Sequence, residues 1–229
     1  MADWISYWDS HPLHVNARHR DVHVTLIAQG ILSYVPAPAA AVLDYGSGEA
    51  LYAERVAERV GSLTLCEAGQ KLRAALAVRV AGNRKISAPS PEQVAAMPDR
   101  SFDLIVMHSV AQYLTPDELD GLLRLFRRLL RPNGRLVLGD IVQPQVSVLT
   151  DVLALLRLGA RNGFFGAALM GLLRTTVSGY VRLRHAAGLT RYSETDMVTK
   201  LRAASFAAEL APHNIGHNQA RMTFVARTA

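Results

Sequence analysis

The chain has 229 residues, of which 50% are hydrophobic and 19% charged, and its formal net charge is +6. This composition supports one sizeable core. No low-complexity or repeated segment occurs, and this absence argues against a disordered or solenoid protein. The lone cysteine, Cys66, excludes an intrachain disulfide and lies in an apolar run where we expect it to be buried.

The first half of the chain alternates between helix-like and strand-like patterns. Apolar residues at helical spacing predict a helix over about 20–35, which Pro36 then ends, because proline lacks the backbone donor that a helix needs. Short apolar runs predict buried strands at 41–44 and 63–66 and a weak strand near 85–88. The helices between them are predicted at 51–60 and about 70–81.

The alternation continues with a strong buried strand at 102–107. Pro116 opens an amphipathic helix, for which Thr115 and Glu118 form a capping box. A turn at 132–134 and a strand at 135–140 follow. Strands that alternate with helices at this spacing predict an α/β fold with a doubly wound, mostly parallel sheet covered on both faces.

The end of the chain has a different pattern. A helix is predicted from Ser193 to about Ala204, and two β-like pieces follow at 206–211 and 221–226. A short link between these pieces indicates an antiparallel hairpin at the edge of the sheet. The sheet is therefore predicted to have seven strands.

The strongest functional signal is the glycine turn that follows the strand at 41–44. Gly46 and Gly48 let a ligand approach the backbone closely, because neither carries a Cβ. The helix after the turn offers unpaired N–H groups to an anionic group. Asp44 precedes the glycines, at a position where its carboxylate can accept hydrogen bonds from an ammonium group.

A second acid, Glu67, follows the next strand, where a carboxylate can accept both hydroxyls of a ribose. At these residues the sequence resembles the class I S-adenosylmethionine (SAM)-dependent methyltransferase family. Residues 44–50 match its first motif, with Ala50 where a third glycine is common, and Glu67 matches its ribose-binding acid. Residues 98–108 and 129–138 are similar to later parts of this Rossmann-like domain, so the resemblance covers about 40–142.

The resemblance implies a methyltransferase that binds SAM and transfers its methyl group by in-line displacement. Glu92 stands near the place where many members carry an adenine-binding Asp, although an acid in the first turn of a helix is an equal alternative. The cofactor-binding residues that it implies are Asp44, Gly46, Ser47, Gly48, Glu67, Ala68, Glu92, His108 and Ser109.

Two side chains at the ends of the fourth and fifth strands are candidate catalytic residues. His108 has a side chain suited to act as a general base, to bind the cofactor, or only to pack. Asp140 is better suited to hold a loop or orient the substrate than to abstract a proton.

The N-terminal segment is rich in aromatic residues and histidines, and the resemblance implies that it caps the cofactor pocket. The histidines lack an accompanying acid or thiol at ligand spacing, so no metal site is expected. They are His11, His14, His19 and His23.

The segment 143–192 is longer than the link that a compact member of the family would need. It carries one acid, Asp151, and six arginines, and so holds most of the net positive charge. The arginines are Arg157, Arg161, Arg174, Arg182, Arg184 and Arg191. One interpretation is a helical lid over the acceptor site. Another places the segment at a membrane surface, with arginines near lipid phosphates. A nucleic-acid substrate is a weaker alternative, because stacking aromatics are not interleaved with the arginines.

We expect a single domain over 1–229. It would contain N-terminal cap helices at 1–35, the cofactor-binding core at 40–142, a helical insertion or lid at 143–192, and a final helix with the edge hairpin at 193–229. The protein is expected to be cytoplasmic, or peripheral at the inner face of a membrane, because residues 1–5 do not resemble a secretion signal.

The expected function is methyl transfer to a small or hydrophobic, lipid-like acceptor. The alternatives are a nucleic-acid methyltransferase and a peripheral membrane protein that keeps the fold without transfer activity. A nicotinamide-dependent oxidoreductase is disfavoured, because its turn requires a further glycine where this chain has Leu51.

Overall fold

A computed structural model of the chain describes residues 14–175 and 188–228, together with Ile5. Its sheet has seven strands, which match the seven predicted ones. They are β1 (Ala41–Tyr45), β2 (Ser62–Cys66), β3 (Ile86–Ser87), β4 (Phe102–His108), β5 (Leu130–Ile141), β6 (Phe206–Leu210) and β7 (Met222–Thr228).

The strands are arranged in the order β3-β2-β1-β4-β5-β7-β6. Strands β1 to β5 pair in parallel, whereas β7 runs antiparallel to both β5 and β6. The predicted doubly wound sheet with an antiparallel C-terminal pair is therefore confirmed. The direction of winding reverses between β1 and β4, and in open α/β sheets the crevice at this point is where ligands bind.

Eight α-helices surround the sheet in the described residues. They are α1 (Ala17–Leu32), α2 (Ala53–Ala57), α3 (Gln70–Val80), α4 (Pro91–Ala95), α5 (Pro116–Leu129), α6 (Val148–Asn162), α7 (Phe165–Thr175) and α8 (Glu194–Ala203). The predicted capping box of Thr115 and Glu118 is present at the start of α5. None of the helices in the described ranges is long and apolar enough to cross a bilayer.

Three local predictions were wrong in detail. Helix α1 begins three residues earlier than predicted, because the Asn16 side chain accepts a hydrogen bond from the His19 N–H and caps it. Helix α2 is half the predicted length. The predicted turn at 132–134 lies inside β5, where an irregularity in the pairing with β4 accommodates Asn133 at a φ of 64°.

Two hydrophobic clusters, one on each face of the sheet, form the core. Phe126 of α5, Leu201 of α8 and Phe224 of β7 belong to one cluster. Ile31 of α1 and Val56 of α2 belong to the other. Burial of each such side chain contributes about 1.5–3 kcal/mol, so the core holds the strand ends in fixed positions.

The connection between β6 and β7 is not the short link that the sequence predicted. Residues 211–221 form a longer excursion at the carboxyl end of β5, and its side chains enter the candidate site. The predicted helical insertion is present as α6 and α7, which pack closely at Gly159. The predictions for His11, Arg182 and Arg184 lie outside the described residues.

Candidate active site

The glycine turn between β1 and α2 is attached to the end of the neighbouring strand. The N–H groups of Gly46 and Ser47 both donate to the carbonyl oxygen of Cys66, at 2.8 and 3.0 Å. Gly46 has a φ of 79°, and a Cβ at this position would collide with Val110. A glycine is therefore required at 46 both by the backbone conformation and by the packing.

Glu67 lies at the tip of β2 and faces this turn. Its Oε2 accepts a hydrogen bond from the Gly48 N–H at 2.8 Å, and its Oε1 accepts one from the Gly69 N–H at 2.7 Å. The two bonds fix the orientation of the carboxylate. Because each oxygen has a second lone pair, both can still accept a hydroxyl of a ligand.

Asp44, at the end of β1, is 1% exposed. The Tyr52 hydroxyl donates a hydrogen bond to its Oδ2 at 2.5 Å. Burial and the charge of Glu67 raise the pKa of Asp44 and the Tyr52 hydrogen bond lowers it, and together they bring this pKa to about 7. The two acids therefore interact across the glycine turn, which is the arrangement that the sequence predicted.

The surroundings of the turn fit a nucleoside ligand. The Ser47 hydroxyl is buried, and none of the described residues forms a hydrogen bond with it. A buried polar group without a partner costs about 1–3 kcal/mol, so a ligand that supplied one would be favoured. A Cβ built on Gly48 would meet nothing within 4 Å, and Ala68 is exposed. The turn thus borders open space at Gly48.

Glu92 lies in the first turn of α4 and is exposed. It accepts a hydrogen bond from the Ser90 hydroxyl at 2.6 Å, which is the main reason why its pKa is lowered. Its charge also raises the pKa values of Tyr45 and Cys66, so it lies at the same edge of the sheet as the glycine turn. Its role as an adenine ligand stays a prediction.

His108 ends β4 and is half-buried. Its Nε2 lies 3.1 Å from the carbonyl oxygen of Ile215, which can only accept a hydrogen bond. The neutral ring therefore carries its proton on Nε2 and a lone pair on Nδ1. Burial lowers the pKa of His108, so this neutral form is favoured at neutral pH.

Asp140 lies near the end of β5, close to His108. Three side chains donate hydrogen bonds to its carboxylate. Ser109 donates to its Oδ2 at 2.6 Å, Arg221 donates to the same oxygen at 2.5 Å, and Asn214 donates to its Oδ1 at 3.1 Å. Burial raises the pKa of Asp140, but Arg221, His108 and these hydrogen bonds outweigh it and lower the pKa overall. An ionised, fully bonded carboxylate is a poor proton acceptor and a good anchor.

Arg221 also connects the strand end to the insertion. While Nη1 contacts Asp140, Nη2 donates to Oδ1 of Asp151 on α6 at 2.9 Å. Asn218 donates to the same Asp151 oxygen at 2.8 Å. The insertion therefore shares a buried ionic network with the end of β5.

Comparison with known proteins agrees with this arrangement. The family model described as a methyltransferase domain matches residues 43–138, the part that contains the glycine turn, Glu67, His108 and most of β5. This match identifies a methyltransferase domain at residues 43–138. No curated protein matches this chain in sequence.

Solved structures of similar fold cover most of this chain. The 1,6-didemethyltoxoflavin-N1-methyltransferase of Burkholderia thailandensis has a TM-score of 0.58 at 18% identity, over 100% of this chain and 86% of that one. A SAM-dependent methyltransferase from Aquifex aeolicus has a TM-score of 0.56 at 14% identity, over 88% and 89%. YcgJ from Bacillus subtilis has a TM-score of 0.57 at 17% identity, over 80% of this chain and 69% of that one. At these identities the likeness concerns the fold.

Three histidines of the N-terminal segment form a cluster beside the insertion. His14 Nε2 lies 3.0 Å from His23 Nδ1, and the His19 ring stacks on Phe164 with centroids 5.1 Å apart. Burial lowers the pKa of His19 to about 4 and that of His23 to about 3, so both rings are neutral in the folded protein at neutral pH. Within 14–175 and 188–228 no group of three His, Cys, Asp or Glu side chains could hold a metal.

Sequence reasoning missed several residues of this site. Tyr52 lies just after the glycine turn, at the N-terminus of α2. Nothing in the sequence indicated a role for its hydroxyl. Asn214 and Arg221 lie in a connection predicted to be short, more than 70 residues from Asp140. One signal was available: Asp151 is the one acid in a strongly basic segment, which indicates a specific partner.

Proposed function

We propose that this methyltransferase binds SAM at the glycine turn and transfers its methyl group to a small or hydrophobic, lipid-like acceptor. Asp44 would accept the ammonium group of the cofactor, and Glu67 would accept the ribose hydroxyls. The observation that carries the proposal is the Glu67 carboxylate, held by the Gly48 and Gly69 N–H groups at 2.8 and 2.7 Å with a lone pair left on each oxygen.

When bound, the cofactor supplies a methyl group on a positively charged sulfur. Transfer would join this carbon to the acceptor atom as the carbon–sulfur bond breaks, and the electron pair of that bond would stay on sulfur. The chain contributes mainly position and exclusion of water, because an activated methyl group needs no further activation. Ser47 and Ala68 complete the proposed cofactor site at the turn.

His108 is the proposed proton acceptor where the acceptor atom loses a proton on methylation. The ring has its Nε2 proton committed to the Ile215 carbonyl, which leaves Nδ1 to take up the proton. Ser109 and Asp140 would orient this end of the site, because Asp140 is ionised and already bonded to Ser109, Asn214 and Arg221.

The acceptor class rests on the insertion. Asp151 links α6 to the strand ends through Arg221, which favours α6 as a wall of the acceptor site. The insertion helices are predominantly apolar, which suits a hydrophobic acceptor better than nucleic acid. The structurally similar Burkholderia protein is named for 1,6-didemethyltoxoflavin and was solved with this molecule and S-adenosylhomocysteine bound.

Calorimetry with S-adenosylhomocysteine, the reaction product, tests cofactor binding directly. We expect saturable binding to the full chain, weakened at least tenfold by Asp44→Ala and by Glu67→Ala. The matched control is Glu58→Gln, an exposed acid at the end of α2 that should leave the affinity unchanged. Absence of binding to the folded protein would overturn the proposal.

Incubation with methyl-labelled SAM and separated lipid, small-molecule and RNA fractions of a cell extract tests the acceptor class. Label in the lipid or small-molecule fraction supports the proposal, and label confined to RNA would assign the alternative substrate. Label in none of the three fractions would contradict the proposed acceptor class. It would not bear on cofactor binding, which calorimetry tests separately.

A further inference from the structure

Helix α7 exposes an apolar face. Phe165 and Leu169 lie four residues apart on this helix, and Met170 is next to Leu169. These three side chains and Leu173 are between 45% and 56% exposed. No charged residue occurs from 162 to 173. Exposed apolar side chains are common singly, but a contiguous group indicates a surface that binds an apolar partner.

Helix α6 carries an exposed stripe that changes character along its length. Leu149 is 64% exposed and Leu153 is 41% exposed, and Arg157 and Arg161 continue the same four-residue spacing and are also exposed. Residues four apart lie on one side of a helix. The stripe is therefore apolar in the first half of α6 and basic in the second half.

Further positive charge lies at the tip where α6 meets α7. Arg18 of α1 is exposed and donates a hydrogen bond to the carbonyl oxygen of Asn162 at 3.1 Å. The acid of the insertion, Asp151, is turned to Arg221 and is half-buried. Over the described residues of α6 and α7, exposed charge is thus positive, and the same two helices carry the exposed leucine, methionine and phenylalanine.

We propose that this surface of α6 and α7 binds an anionic lipid bilayer. Apolar side chains enter the boundary between headgroups and acyl chains, and arginines pair with lipid phosphates. Helix α7 has 11 residues, against the roughly 20 that a spanning helix needs, so the pair lies on the surface. Nucleic acid would use the arginines and leave the apolar face in water.

Lipid binding by this surface would deepen the proposed function. One consequence of it, the entry of the acceptor from the membrane, rests on that proposed function. Because α6 is attached through Asp151 and Arg221 to the strand end that carries Asp140, bilayer contact would place the acceptor site beside the membrane. A lipid-like acceptor would then enter from the bilayer. Binding to vesicles itself requires no methyl transfer and can be measured separately.

Co-sedimentation of the full-length protein with vesicles tests the inference. We expect binding to phosphatidylcholine vesicles containing 30% phosphatidylglycerol, and much weaker binding to phosphatidylcholine alone. Leu169→Gln with Met170→Gln should reduce the partition at least tenfold. Arg157→Gln with Arg161→Gln should reduce it by about fivefold per arginine and should flatten its dependence on salt.

The matched controls are Val78→Gln, an apolar residue 79% exposed on α3, and Arg59→Gln, an exposed arginine remote from α6 and α7. Both should bind vesicles as the unchanged protein does. Thermal unfolding should show that every variant is folded. Equal binding to both vesicle types, or binding unaffected by either pair of substitutions, would overturn the inference.

Two further measurements separate the outcomes. If the Leu169 and Met170 substitutions convert a dimer to a monomer in light scattering, the surface belongs to a second copy of the chain and the lipid inference is wrong. Calorimetry with S-adenosylhomocysteine on the same variants should give unchanged affinity. Vesicle binding without product binding would support the lipid surface and reject the proposed function, and the reverse would reject only the lipid surface.

Discussion

The Tyr52 hydroxyl donates a hydrogen bond of 2.5 Å to Oδ2 of Asp44, inside the turn that separates β1 from α2. The Asp44 carboxylate is almost completely buried, and this burial is the main reason why its pKa is raised to about 7. The Tyr52 bond opposes this effect by stabilising the ionised form. The protonation of Asp44 is therefore balanced near neutral pH, with consequences for the binding of a cationic ligand.

Cofactor affinity should depend on pH through Asp44. An ammonium group needs the ionised carboxylate, and in the ligand-free protein this form is lost as the pH falls through about 7. Affinity for S-adenosylhomocysteine should be constant above pH 8 and should fall by up to about tenfold per pH unit below pH 7. Calorimetry between pH 6 and 8.5 measures it, and Asp44→Asn should abolish the dependence. A flat profile for the unchanged protein would contradict the proposed role.

Tyr52→Phe should move that pH dependence upward. Loss of the hydrogen bond removes a contribution that lowers the pKa of Asp44, so a larger fraction of Asp44 is protonated at pH 7. We expect product affinity at pH 7 to fall about three- to tenfold and to recover above pH 8.5. Tyr34→Phe, a half-buried tyrosine on the chain after α1, is the control and should bind normally.

Removal of Arg221 should be strongly destabilising. Arg221→Gln leaves the carboxylates of Asp140 and Asp151 without the guanidinium that both contact, at a cost of about 3–5 kcal/mol in the free energy of unfolding. Chemical denaturation measures this. The double variant with Asp151→Asn should lose less than the sum of the two single variants, because they remove the same interaction. Additive losses would mean that the ion pair does not couple the insertion to the sheet.

His108→Gln separates proton transfer from cofactor binding. If the His108 ring takes the proton of the acceptor, the substitution should lower kcat about 10²- to 10⁴-fold and leave product affinity within about twofold. The acceptor found with labelled SAM provides the assay. The unchanged enzyme should also lose activity as pH falls and the ring becomes protonated, at a pH below the usual range for histidine. An unchanged kcat would assign His108 to packing.

The histidine cluster should make the fold sensitive to acid. The pKa of His19 is lowered to about 4, so between pH 6.5 and 4 the unfolded chain binds a proton that the folded chain does not. Stability therefore falls as pH drops through this window and is unaffected above it. His19→Phe keeps a ring for the stack on Phe164 and should recover roughly 2 kcal/mol at pH 4.5 relative to pH 7. The measurement is denaturant unfolding at the two pH values, with His213→Phe as control.

Much of the fold was predictable from local sequence patterns. Strands 41–45 and 62–66 are mostly apolar and largely buried, and they were predicted to within one residue. The predicted capping box at Thr115 marked the start of α5 correctly, and the helix start predicted at Ser193 agrees with α8, which Ser193 caps. The irregularity at 131–134 was not predictable, because these residues are typical of a turn, and β5 continues through them only since Leu130 and Arg135 on either side pair with β4.

The sequence itself determined that Asp44 and Glu67 lie close together at the glycine turn, because neighbouring parallel strands that each end in an acid carry both acids to one edge of the sheet. Tertiary structure alone decided which side chains meet Asp140. Arg221 and Asn214 come from the 211–221 connection and Asp151 comes from the insertion, all distant along the chain. Periodicity encodes which face of a helix or strand is buried. It carries no information about loops, whose hydrogen bonds form only after the core has brought distant segments together.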